Sequence, residues 1–122
     1  MKRAHRDLAA WQEAMNLVAA VYASTECLPK EERYGLVGQM RRAAVSIPSN
    51  IAEGAAKGST RELFRSLNIA SGSLAELDTQ LDLAERLFDL DVATTRAQLD
   101  RVHKLLTALL SSIRAKLNPP ET

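Results

Sequence analysis

At 122 residues the chain has the length of one domain, and 16 basic residues against 15 acidic ones leave a net charge of only +1. That balance excludes polyanion binding through the surface as a whole and confines any such binding to a local basic patch. One cysteine, Cys27, excludes an internal disulfide, and no stretch approaches the roughly 18 consecutive apolar residues of a membrane span.

Aromatic residues make up 4% of the chain, Ala and Leu abound, and Gly and Pro are few. This composition predicts an all-α protein, with one domain over residues 1–122. The basic start, Met1 to Arg6, is not followed by an uninterrupted apolar run, because Gln12, Glu13 and Asn16 break it. No signal peptide is therefore expected, and a cytoplasmic setting fits.

The first helix is predicted over about residues 8–27, with Asp7 as N-cap. Leu8, Trp11, Met15, Val18 and Tyr22 form one apolar stripe, and Leu17 and Val21 widen it. Leu28-Pro29-Lys30 ends this helix, since the residue before proline avoids helical geometry. Glu31, Glu32 and Arg33 open the second helix, about 32–56, with acids where the helix dipole favours them.

Within that helix Met40, Ala43, Ala44, Ile47 and Ile51 keep a helical period across Pro48. An interior proline removes a backbone donor, crowds the carbonyl of Ala44 and costs about 3 kcal/mol against alanine unless its surroundings compensate. A kink near Pro48 is expected, with Ser46, Ser49 and Asn50 close enough to bond freed backbone groups. Gly54 and Gly58 bracket the helix end.

Ser59-Thr60-Arg61-Glu62 is a capping-box pattern that opens the third helix, about 60–89. Leu63, Leu67, Ala70, Leu74, Leu77, Leu81, Ala84 and Phe88 alternate steps of four and three, a coiled-coil-like seam. Gly72, between Ser71 and Ser73, predicts close approach of another backbone, with the bent second helix as its packing partner. Asp78, Asp82, Glu85 and Asp89 form an acidic outer stripe, expected to remain solvated or to meet a neighbour's bases.

The fourth helix is predicted over about 95–117, with Thr95-Arg96-Ala97-Gln98 as a second capping box. Its apolar face is Leu99, Val102, Leu106, Leu109, Ile113 and Leu117, broadened by Leu105 and Leu110. Asn118-Pro119-Pro120 stops it, and the last residues should fray. Four amphipathic helices on short loops predict an antiparallel up-down-up-down four-helix bundle. The wide apolar faces suit either a broad core or a partner subunit.

Catalytic signatures are lacking. His5 and His103 have no Glu-x-x-His or His-x-x-x-His partner, so no metal site is expected. Cys27 reads as a small apolar filler at a helix end, the serines lack a Gly-x-Ser-x-Gly context, and glycines are too sparse for a phosphate loop. No cofactor or small-molecule substrate is indicated. The basic residues carry the binding hypothesis: Arg41 and Arg42 adjacent, Lys57 next in sequence, then Arg61 and Arg65 one turn apart. Arginine forks suit phosphates and carboxylates alike, so these residues either meet a polyanion or make structural ion pairs. Symmetric repetition in an oligomer would turn a small patch into a ring that attracts polyanions.

Three stretches carry a family resemblance. They are Asp7-Leu8-(x2)-Trp11-Gln12-(x)-Ala14, the block Tyr34-Gly35-Leu36-(x2)-Gln39-Met40-Arg41-Arg42-Ala43-Ala44-Val45-Ser46-Ile47-Pro48-Ser49-Asn50-Ile51-Ala52-Glu53-Gly54, and Ile69-Ala70-Ser71-Gly72-Ser73-Leu74-(x)-Glu76-Leu77-(x2)-Gln80-Leu81. Together they resemble the bacterial 23S rRNA intervening-sequence proteins, also labelled S23 ribosomal proteins.

The resemblance implies an antiparallel four-helix bundle that assembles into a homopentamer. A similar fold occurs in the accessory variability determinant of diversity-generating retroelements, a basic pentamer associated with nucleic acid; the present chain is much less basic. The leading expectation is a non-enzymatic homo-oligomer that binds RNA or DNA through Arg41 and Arg42, with Lys57, Arg61 and Arg65 around them. The alternative is a protein-interaction scaffold with no nucleic-acid role. Ser46, Pro48, Asn50, Gly54 and Gly72 are read as architecture.

Overall fold

Four helices, α1 (Ala9–Thr25), α2 (Leu36–Ala56), α3 (Thr60–Phe88) and α4 (Ala93–Leu117), make up most of the chain in a computed structural model that describes residues 3–119. The expected fraying of the last residues falls mostly outside them. Each helix packs on two others, α1 on α2 and α4, and α3 on α2 and α4, with no diagonal contact among the described residues. This is the ring order of an antiparallel up-down-up-down bundle.

The core is built at the expected helical spacing from α2, α3 and α4. Met40, Ile47 and Ile51 are fully enclosed, as are Leu67, Leu77 and Leu81, with Val102 and Leu106 opposite them. Burying each such side chain stabilises the fold by about 1.5–3 kcal/mol relative to exposure. The α3 seam is buried from Leu67 to Ala84, and its ends Leu63 and Phe88 are half-buried.

In α1 the buried face differs from the expected one. Ala10, Ala14, Leu17 and Val21 point into the core, while Trp11 and Val18 are half-buried and Met15 and Tyr22 are exposed. Two small alanines and two aliphatic residues fill the inward face, and the larger stripe is rotated outward.

Helix starts also differ from expectation. Asp7 lies in a short 3-10 turn, Ala4–Asp7, and Leu8 holds the N-cap position of α1 without a side-chain hydrogen bond. Lys30–Glu32 forms a second 3-10 turn, and α2 starts only at Leu36, whose N–H donates to Glu32 Oε2 at 3.1 Å. Thr95 does not cap α4. It is buried inside the helix, its hydroxyl 2.5 Å from that of Ser24, while Asp91 Oδ1 accepts from the Ala93 N–H at 3.1 Å.

Ser59 does cap α3, accepting from the Glu62 N–H at 3.3 Å. The Glu62 carboxylate, however, turns to Lys57 and Arg65. At the other end of α3, Asp89 takes a left-handed φ of 55°, and the N–H groups of Asp89 and Leu90 close the last carbonyls.

The α2 helix runs through Pro48, which is buried. One turn around it, Asn50 Nδ2 donates to the Ser46 carbonyl at 2.8 Å and to Ser46 Oγ at 2.9 Å. The Ser46 hydroxyl in turn shares a 2.8 Å hydrogen bond with that of Ser73 on α3. That bond seats the Pro48 region of α2 on the 71–73 stretch of α3 as expected, but the glycine of close approach is a different one. A Cβ at Gly54 would lie 2.7 Å from the Ser66 Cβ and 3.2 Å from Leu63 Cδ1, whereas a Cβ at Gly72 would meet nothing within 4 Å. Gly72 is exposed and is not the packing glycine.

Candidate nucleic-acid interface

The adjacent arginines of α2 lie in different surroundings because neighbouring helical residues point about 100° apart. Arg41 turns toward α1. Its Nε donates to Thr25 Oγ1 at 3.0 Å, and its Nη2 donates to Glu26 Oε1 at 3.0 Å and to the Tyr22 carbonyl at 3.3 Å. The guanidinium also lies 4.3 Å from the Tyr22 ring centroid, a cation–π stack. Arg41 thus ties the start of α2 to the last turn of α1. Arg42 points to solvent, with no hydrogen bond or ion pair among the described residues.

The remaining predicted bases gather near the α2–α3 turn. Lys57 lies 3.4 Å from Glu53 and 3.7 Å from Glu62, and Arg65 lies 3.9 Å from Glu62. These distances describe a nearly neutral network of exposed groups, each pair worth about 0–1 kcal/mol. Arg61 is exposed and has no hydrogen bond or ion pair among the described residues. Of the five bases, then, Arg42 and Arg61 are free to meet a ligand, and the other three already have carboxylate partners.

The acidic stripe of α3 is partly used inside the bundle. Asp78 Oδ1 and Asp82 Oδ1 each accept from the guanidinium of Arg96 at 2.6 Å, clamping α3 to the first turn of α4. Cys27 is exposed, not an apolar filler. No group of three or more His, Cys, Asp or Glu residues among those described could hold a metal ion, and no described helix is long and apolar enough to cross a membrane.

One titratable group is perturbed. Glu13 on α1 is held below its ordinary value of 4.5, first by the hydrogen bond from Gln98 and next by that from Asn16. Gln98 Nε2 lies 2.9 Å from Glu13 Oε1 and also donates to the Glu13 carbonyl at 2.9 Å, so this contact joins α4 to α1.

A second surface was visible in the sequence only as a core stripe. Trp11, Met15 and Val18 on α1 face Val45, Pro48, Ser49 and Ala52 on α2 across an open apolar groove. Met15 is 46% exposed and Val45 41%. At one end of the groove Trp11 meets the edge of the His5 ring, with centroids 4.9 Å apart, and the Arg6 guanidinium at 5.5 Å. At the other end of the stripe Tyr22 carries Arg41. The period of the stripe was legible, but its direction depended on which face of α1 the small alanines would turn inward.

Comparison with family models extends the sequence resemblance. Residues 6–111 match the family described as 23S rRNA-intervening sequence protein. The chain belongs to that family. As a 23S rRNA-intervening sequence protein it contains the groove, the paired bases and the two free arginines within the matched span. Comparison with curated proteins finds no match.

Proposed function

We propose that this 23S rRNA-intervening sequence protein is a non-catalytic, cytoplasmic building block that assembles with copies of itself. A pentamer is the state that the family resemblance implies. The observation that carries the assembly is the apolar groove between α1 and α2. A stripe of Trp, Met, Val and Tyr at helical spacing, left half-exposed on a small bundle, stabilises the protein further when a second copy covers it. The assembled ring would bind RNA or DNA through Arg42 and Arg61. Arg42 lies one helical turn before Val45 with its guanidinium folded back over Gly38, so each copy would contribute one unpaired guanidinium to the ring.

The carboxylate partners of Arg41, Lys57 and Arg65 support a second reading, a scaffold with no nucleic-acid role. Both readings share the assembly. They are separated by sedimentation and by salt-titrated RNA binding of the same samples.

The parent is expected to sediment as an oligomer, and Met15→Lys/Val45→Glu as a monomer with unchanged helical circular dichroism. A parent that stays monomeric at micromolar concentration would refute the assembly. Arg42→Ala/Arg61→Ala is expected to remain oligomeric and to bind RNA with a shallower salt dependence and lower affinity. If it binds as well as the parent, these arginines are not the interface; if the parent binds no RNA, the scaffold reading stands.

A further inference from the structure

The corner where α1 hands over to α2 contains a concavity that neither the assembly nor the two free arginines explain. It has a volume of about 190 Å³ and lies between the end of α1, the Lys30–Glu32 turn and the first turn of α2. Leu28 and Val37 are its buried apolar wall. Lys30, Arg33 and Arg41 line it with Thr25 and Glu26, which makes three positive charges against one negative.

Two of those bases are, like Arg42 and Arg61, without a carboxylate partner among the described residues, and here the two share one concavity with Arg41. Lys57, Arg65, Arg96 and Arg101 all lie within 4 Å of a carboxylate. Lys30 and Arg33 have no such partner among the described residues, and neither donates a side-chain hydrogen bond there. The nearby Glu32 carboxylate accepts from the Leu36 N–H, and neither it nor Glu31, on the same turn, lines the cavity.

Arg41 is already fixed in place. Nε and Nη2 are held by Thr25, Tyr22 and Glu26, and the Nη1 donors have no partner among the described residues. A guanidinium immobilised before a ligand arrives loses little conformational freedom on binding. Gly38 keeps one side of the corner narrow and bare: a Cβ there would lie 3.1 Å from Arg42 Nη1 and 3.2 Å from the Arg33 carbonyl oxygen. The Arg42 head folds back over Gly38 but does not line the cavity.

We propose that this corner is a binding site for a phosphate monoester dianion, held between Lys30, Arg33 and the Nη1 edge of Arg41. The excess of two positive charges matches the dianion, and a liquid water occupies about 30 Å³, so the cavity admits a phosphate group with some of its hydration. The phosphate would come either from a free small ester or from the 5′ end of a nucleic acid. The site lies within one chain and does not rest on the proposed oligomer or on Arg61.

Nuclear magnetic resonance of the full chain, titrated with inorganic phosphate at constant ionic strength, tests the site. The Gly38 amide and the Arg41 Nε–H signals are expected to shift saturably, and Lys30→Gln/Arg33→Gln, at two exposed positions, to weaken binding about tenfold or more while leaving the fold intact. Shifts no larger than those from chloride at the same ionic strength, or equal binding by the double variant, would overturn the proposal. Its source is read with one oligonucleotide carrying a 5′-phosphate or a 5′-hydroxyl. A preference for the phosphorylated form that the double variant abolishes identifies a nucleic-acid end. Phosphate binding without that preference identifies a small ester, and either result supports the site.

Discussion

A methyl group added at Gly54 would sit 2.7 Å from the Cβ of Ser66 and 3.1 Å from its Oγ, on helices that cannot easily part. Gly54→Ala is therefore expected to lower stability by about 1–3 kcal/mol, the usual range for overpacking. Gly72→Ala adds its methyl in open space on an α3 turn of ordinary φ, so it should raise stability by up to about 1 kcal/mol through helix propensity. Urea unfolding of the two variants beside the parent checks both signs; a stabilised Gly54→Ala would mean that α2 and α3 are not in contact there. The contrast also shows where sequence reading stops. Both glycines stand among small residues in helical stretches. Which one faces the neighbouring helix depends on a rotation of about 100° per residue, set by how the whole bundle packs.

At the scale of the element, α2 is the helix whose sequence looked least helical. Pro48 withholds the donor that Ala44 would use, and the polar residues around it answer as a linked set: Asn50 binds Ser46, and Ser46 binds Ser73 across to α3. Asn50→Ala and Ser73→Ala should each cost about 0.5–1.5 kcal/mol. Because both act on the one Ser46 hydroxyl, their combined cost should depart from the sum by more than about 0.5 kcal/mol. A double-mutant cycle in urea reads this directly, and strict additivity would show that the three side chains do not act together. The involvement of Ser46 and Asn50 was legible from proximity to Pro48, but their link to Ser73 was not, since it joins residues 27 positions apart. Helix boundaries were less legible. Glu32 reads as a first-turn acid of α2, yet it caps from outside because the chain first turns through a 3-10 segment.

For the molecule as a whole, four-helix order was readable because the 3- and 4-residue spacings persist over long stretches, and the α3 seam is buried nearly as its period requires. What the spacings do not fix is how the ring closes. The α1–α4 side is closed by Gln98 reaching Glu13, a pair 85 residues apart that no local pattern announces. The Glu13 carboxyl is held below 4.5 in the fold, mainly by Gln98, so its charged form is favoured there over the unfolded chain. The stability it contributes is fully present above about pH 4.5 and is lost as the pH falls through its lowered value. The unfolding midpoint of Glu13→Ala is therefore expected to lie below that of the parent at neutral pH and to converge on it in acid. A gap that is the same at pH 7 and in acid would separate Glu13 from any such linkage.

The chain has a single tryptophan, and it lies at the mouth of the α1–α2 groove. All indole emission from this protein therefore originates at one position on one face. A second copy that seats on the groove removes water from the Trp11 ring and shifts its emission toward the blue, and dilution that frees the groove shifts it back. The molecule thus carries its own optical gauge of whether that face is covered, readable without a label and over any range of protein concentration that a fluorimeter can reach.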